Sequence, residues 1–195
     1  MWGRPSRARS RALCWACVLS GGLFVVPAEA DPQFNVSLIS GLGGEGDHDG
    51  YWRDTAWFNA VQGDVLFGRQ RNADIGAGPY LQLGTSGFDD FRVGGGGSVV
   101  LPITEYVPIV VSGGGYGRTS EAGLEPGLAG SLYIGARSYN FHSAYNVTGG
   151  LNLGLTYGLG DSKETTIIVA AQLDSSTLWL PFVILYNWIA GPGED

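Results

Sequence analysis

The chain has 195 residues, a formal net charge of −7 and 44% hydrophobic residues, with 33 Gly and 2 Cys. That length fits one domain, and an acidic balance without Lys/Arg clusters argues against a nucleic-acid partner. Both cysteines, Cys14 and Cys17, fall in the first 30 residues, so the remainder holds no disulfide, thiolate nucleophile or Cys metal site.

Residues 1–12 carry Arg4, Arg7, Arg9 and Arg11 and no acid. An apolar run (13–26) and a small-residue end, Ala28-Glu29-Ala30, follow. This is the three-part form of a secretory signal peptide (1–30), predicted to be cleaved after Ala30. The rival reading, a membrane anchor, is opposed by length: a spanning helix needs ~20 apolar residues. Cys17 makes a poor lipoprotein site, because apolar residues continue well beyond it. Cleavage removes four Arg and one Glu and leaves 165 residues with a formal charge of −10.

Alternating stretches then centre near residues 38, 62, 79, 98, 112, 134, 153 and 169. Each is close to the ~9–11 residues of a tilted transmembrane strand. In 146–160, Val147, Leu151, Leu153, Leu155, Tyr157 and Leu159 share one face, and Thr148, Gly150, Asn152, Gly154, Thr156 and Gly158 share the other. The first strand shows Phe34, Val36, Leu38 and Leu42 against Asn35 and Ser37. The fourth shows Phe91, Val93, Val99 and Leu101 against Arg92, Gly94, Gly96 and Ser98. Water-exposed faces of soluble sheets are usually rich in Lys, Glu and Thr, and Gly weakens a strand there. Small residues instead suit a narrow lumen, with the apolar face toward lipid. The stretch 106–117 does not alternate cleanly, and its faces stay unassigned.

Aromatic residues cluster at two levels: Tyr51, Trp52, Trp57, Phe88 and Phe91 at one, and Phe67, Tyr106, Phe141 and Tyr145 at the other. Such belts are expected at the two membrane–water boundaries of a barrel. The connections are expected to be long at 44–55 and 118–126, medium at 86–90 and 160–164, and short at 70–73, 104–105 and 142–144. Longer loops would face outside and shorter turns the periplasm. The outer loops then form an acidic rim that includes Glu45, Asp47, Asp49, Asp90, Glu125 and Glu164.

With its signal, Gly-rich alternating strands and loop rhythm across 34–173, the chain resembles the small eight-stranded outer-membrane barrel proteins of Gram-negative bacteria. The resemblance is architectural and carries no motif. It implies an all-β fold, an eight-stranded antiparallel transmembrane β-barrel over 31–173, integral to the cell outer membrane among its lipids and lipopolysaccharide. One departure is plain: that family commonly ends on a strand with an aromatic last residue. Here an apolar tail, 174–195, follows. It reads as a short helix over 181–190, with Pro181 in its first turn and Gly191-Pro192-Gly193 as its stop, or as an extra strand. As a helix it is too short to span and apolar almost all round, and is expected at the inner membrane–water boundary.

Glu45, Asp47 and Asp49 precede Gly50 at alternate positions, as in the first half of a calcium loop. The twelfth position from Glu45 is Ala56 instead of the bidentate Glu such a loop needs. These three are therefore candidates for loose divalent-cation association only. His142 and Ser143 are sequence neighbours, which in a strand point to opposite faces, so serine hydrolysis is not expected. Asp64, Arg92, Arg137, Tyr80, Tyr133 and Tyr139 are assigned to a lumen network, with Asp64 facing Arg137 and Asp174 near the lower mouth. No cofactor is expected. The reading is a non-enzymatic barrel for envelope integrity, surface interaction or small-solute passage. The alternative is a secreted soluble β-barrel holding a small hydrophobic ligand, with the apolar faces turned inward.

Overall fold

The computed structural model describes residues 32–47, 50–104, 106–120, 123–138 and 147–190. The signal segment and its Ala30 cleavage site, His48, Asp49, Glu121, Tyr139 and the stretch 141–146 lie outside the described residues, as does the side chain of Tyr51.

Eight strands follow in chain order: β1 (Gln33–Asp47), β2 (Gly50–Leu66), β3 (Gly76–Ser86), β4 (Asp90–Pro102), β5 (Pro108–Ser120), β6 (Gly123–Gly135), β7 (Gly149–Gly158) and β8 (Thr165–Asp174). One helix, α1 (Ser175–Ala190), ends the described chain. Each strand pairs antiparallel with the next, and β1 closes on β8 through a register that runs from Gly46↔Thr165 to Ser37↔Asp174. The result is a closed eight-stranded antiparallel barrel, which leaves no sheet edge unpaired.

The period-2 pattern sorts the faces. On β7, Leu151, Leu153, Leu155 and Tyr157 are exposed on the outside, while Asn152 and Thr156 are buried inside. The outer wall continues with Phe34, Val36, Leu81, Leu83, Val93, Val99, Leu128 and Val169, all exposed. The interior holds Asn35, Ser37, Gln62, Asp64, Arg92, Ser98, Ser112 and Gln172, all buried. Trp52, Trp57, Phe88 and Phe91 are exposed toward one end and Phe67 and Tyr106 at the other.

β5 also has two faces. Val110, Ser112, Tyr116 and Arg118 turn inward and are buried, and Val111 is exposed outside. The pattern is hidden in the sequence because Ile109, Val110 and Val111 are apolar on both faces and Gly113, Gly114 and Gly115 are neutral on both. Val110 goes inside to pack with Leu66, Val100 and Tyr133.

The connections overturn the expected loop rhythm. β1 and β2 pair out to Asp47↔Gly50, and β5 and β6 out to Ser120↔Gly123, so most of 44–55 and 118–126 is strand. These hairpin ends lack apolar alternation because they extend past the apolar wall, yet ladder bonds still satisfy their backbones. The two longest connections, 67–75 and 136–148, lie at the end that carries both chain termini of the barrel. Loop length therefore gives no orientation here. The tail is a helix, not a further strand, and it starts at Ser175, so Pro181 lies inside it rather than in its first turn.

Candidate functional site

The lumen is the only enclosed environment the topology creates among the described residues, and inward side chains fill it in successive layers. Nearest the termini, Arg137 folds back into the barrel just beyond β6. Its guanidinium donates from Nη2 to Asp64 Oδ2 at 2.9 Å and from Nη1 to Asp174 Oδ1 at 3.0 Å. Arg137, Asp64 and Asp174 are essentially fully buried. The Ser138 backbone N–H donates to Asp174 Oδ2 at 2.6 Å, and the Ser138 hydroxyl to Asn35 Oδ1 at 2.7 Å. The Arg137 cation sits 4.6 Å from the centre of the Tyr133 ring. Tyr133 in turn donates to the Ala136 carbonyl at 2.7 Å, which fixes the bend that brings Arg137 inward.

Beside this trio, at the same end, Leu66, Val100, Val110 and Tyr133 form one apolar cluster. A chain of amides follows, in which Asn152 donates to Gln172 at 2.7 Å, Gln172 to Ser37 at 2.8 Å and Gln82 to Gln62 at 3.2 Å. Tyr80 is buried among the inward side chains of β3. A second apolar cluster, Ile39, Phe58, Ala60, Ile168 and Ala170, closes the section above.

At the end away from the termini, two arginines and four carboxylates converge. Arg92 reaches Asp90 at 2.9 Å, Glu164 at 3.1 Å and Glu45 at 3.5 Å, and donates to Thr156 and Thr166 at 3.3 Å. Arg118 pairs with Glu125 at 3.0 Å, with Asp90 at 3.5 Å and with Glu164, and donates to Ser162 at 2.8 Å. Ser162 closes the ring by donating its backbone N–H and its hydroxyl to Glu125 at 3.0 and 2.6 Å. Above it, an open cleft of ≈ 230 Å³ is lined by Glu45, Asp47, Arg53, Asp54, Ser162 and Glu164.

Of the residues singled out in the sequence, Asp64 and Arg137 meet directly, and Tyr133 stacks on that pair. Arg92 belongs to the opposite end. Tyr80 fills the lumen without joining either ion network in the contacts described above. Part of the expected acidic rim turns inward, with Glu45, Asp90, Glu125 and Glu164 reaching Arg92 and Arg118, while Asp54, Asp89 and Asp161 stay exposed. Glu45 accepts from Ser86 and Arg92, while Asp47 pairs with the exposed Arg53 at 2.6 Å, so these two do not converge on a common ion. Among the described residues no group of three or more His, Cys, Asp or Glu is placed to hold a metal ion. Arg118 and Glu125, the best-buried pair of the upper ring, read in the sequence as loop residues. Extending the alternation of 110–116 and 127–133 by one more step would have turned both inward.

Chemically, these layers pair each lumen arginine with carboxylates and most buried donors with acceptors. They pack and brace a lumen.

No protein-family model matches the chain, and no curated protein does. Similar solved structures include the Yersinia pestis attachment invasion locus protein Ail in complex with the heparin analogue sucrose octasulfate, at 14% identity over 74% of this chain and 99% of that one, with a TM-score of 0.41. The same Ail protein in a phospholipid bilayer nanodisc gives 11% identity, 73% and 99% coverage and a TM-score of 0.40. A de novo designed transmembrane β-barrel gives 11% identity, 72% and 94% coverage and a TM-score of 0.40.

Proposed function

We propose that the chain is an integral outer-membrane barrel with a non-enzymatic role in envelope integrity or surface interaction, exported by a signal cleaved after Ala30. One observation carries this reading: the closed barrel is inside out for a water-soluble protein. Leu81, Leu83, Val93, Leu128 and Leu155 stand exposed around the outside at 52 to 58%, while the Arg137–Asp64–Asp174 trio is buried within. Burying a side chain of the Leu or Val class contributes roughly 1.5–3 kcal/mol, and only a lipid surround or a partner all round the wall supplies that gain here. Lipid and lipopolysaccharide are the surroundings that match a wall of this kind, with the paired, charge-bearing hairpin ends of β1–β2 and β5–β6 beyond it. The acidic cleft at that end suits loose divalent-cation association. A soluble ligand-binding barrel needs an apolar interior large enough for its ligand, whereas the apolar groups inside this one are two small, packed clusters.

Leu153→Arg tests the reading. An arginine at mid-membrane on the lipid face costs ~2–4 kcal/mol, so the variant should lose the folded, heat-modifiable band and accumulate unassembled. In a water-soluble barrel the same change would leave folding intact and raise solubility, and that result would overturn the proposal. Fractionation of the unaltered protein supplies the companion test, since an integral barrel leaves the envelope only with detergent.

A further inference from the structure

The described residue faces leave one apolar surface that the barrel wall does not account for. α1 contains no ionisable side chain other than Tyr186 over Ser175–Ala190. Trp179, Phe182, Ile184, Leu185, Tyr186, Trp188 and Ile189 are all at least half exposed. Its start is tied to the barrel, where Ser176 and Thr177 hydroxyls meet Thr148 at 2.8 Å. A helix that docks on a protein shows one apolar stripe and a polar back, and one that floats on a membrane surface does the same. α1 has apolar residues on every side, so covering a single face leaves large aromatic and aliphatic groups in water.

We infer that α1 is a second lipid anchor, immersed in the leaflet at the terminal end of the barrel and surrounded by phospholipid acyl chains. The inference rests on the reading of the barrel as membrane-embedded. Its position agrees with an apolar surface already present there. Phe34 and Val147 are 70% and 68% exposed at that end, and the helix starts directly from the last residue of β8, whose Leu173 is also on the outer wall. The wall at that end and the helix beyond its Ser175-Ser176-Thr177 start thus both present apolar side chains outward. Length excludes a span: 16 residues at 1.5 Å rise give about 24 Å including the polar ends, and no helix among the described residues is long and apolar enough to cross a membrane. Direction follows from the flanking polarity. Ser175, Ser176 and Thr177 precede the apolar stretch, Asn187 falls in its last turn, and the acids Glu194 and Asp195 follow it in the sequence. Both ends thus belong near the headgroups, which lays the helix along the leaflet instead of pointing it at the bilayer centre. Its diameter of about 10–12 Å fits within one leaflet of a ~25 Å apolar band.

The test places a single environment-sensitive fluorophore at Ile184→Cys or, as the reference, at Leu128→Cys on the barrel wall. Cys14 and Cys17 are replaced by Ser in the full chain, and folding is checked by heat-modifiable migration. In phosphatidylethanolamine–phosphatidylglycerol vesicles, both labels should show blue-shifted emission, be quenched by acyl-chain nitroxide lipids and resist aqueous iodide. Leu185→Lys should return the Ile184 label to iodide while leaving barrel migration unchanged. Lipid quenching at Leu128 with free iodide access at Ile184 would overturn the anchor and leave the barrel reading intact. Protection of Ile184 from iodide without lipid quenching would also overturn it, in favour of a protein covering such as a second copy. Absence of lipid quenching at both labels would remove the barrel reading and the anchor together.

Discussion

Arg137 is one cation held between two buried carboxylates, and its removal is the most informative single change in the lumen. Arg137→Met would leave Asp64 and Asp174 facing each other without a counter-charge. Breaking a buried ion pair from one side typically costs ~3–5 kcal/mol. The urea midpoint of the vesicle-reconstituted variant should fall accordingly, and adding Asp64→Asn and Asp174→Asn should restore much of the loss. An unchanged midpoint in the single variant would mean the trio contributes nothing to stability. The Asp64–Arg137 contact was legible in the sequence because both residues hold the polar phase of an otherwise apolar alternation. The upper ring was not. Arg118, Glu125 and Glu164 sit where apolar partners have stopped, so composition there reads as a solvated loop. A charge in a sequence does not announce whether it faces water or another charge.

At the scale of the strand, β4 and β5 show how far period-2 reading reaches. Gly96 and Gly97 are adjacent but belong to opposite faces. A Cβ on Gly97 would project outward and meet nothing within 4 Å, whereas one on Gly96 would run into the backbone of Gly113 and Gly114. Gly97→Ala should therefore be neutral or stabilising by up to about 0.5–1 kcal/mol, through reduced backbone freedom in the unfolded chain. Gly96→Ala should destabilise by about 1–3 kcal/mol, as overpacking does. Paired urea unfolding in vesicles separates the two, and equal midpoints would contradict the face assignment. The number and order of strands were readable because outward-facing apolar side chains recur at alternate positions on most strands. The ends of the hairpins were not, because beyond the apolar wall pairing is maintained by backbone bonds, to which side-chain polarity is indifferent. The helix boundary moved for a related reason. Asp174-Ser175-Ser176 reads as a turn, but the Ser176 and Thr177 hydroxyls are used on Thr148, and the helix begins at Ser175 despite Pro181, whose missing N–H leaves the Thr177 carbonyl without its helical partner.

For the whole molecule, eight tilted strands enclose a space just wide enough for side chains, and porin-sized channels need ~16–18 strands. In β2 alone, Phe58, Ala60, Gln62, Asp64 and Leu66 are buried in succession. Phe58 and Asp64 are six residues apart, about 20 Å along a strand, so the apolar closure at Phe58 and the ionic closure at Arg137 are separate barriers in series. The unaltered protein should accordingly be closed to large solutes in planar bilayers. Arg137→Ala alone should remain closed as well, because Ile39, Phe58 and Ile168 still block the section above. Only Phe58→Ala combined with Arg137→Ala removes one barrier from each level, and it should produce small, brief openings at most. Glu45, Asp90, Glu125 and Glu164 outnumber Arg92 and Arg118 at the far mouth, so such openings should favour cations, a preference that reversal potentials in a salt gradient measure directly. Large, long-lived and unselective conductance from the unaltered monomer would contradict the filled lumen. Openings in Arg137→Ala equal to those of the double variant would show instead that the Phe58 level is not a barrier of its own.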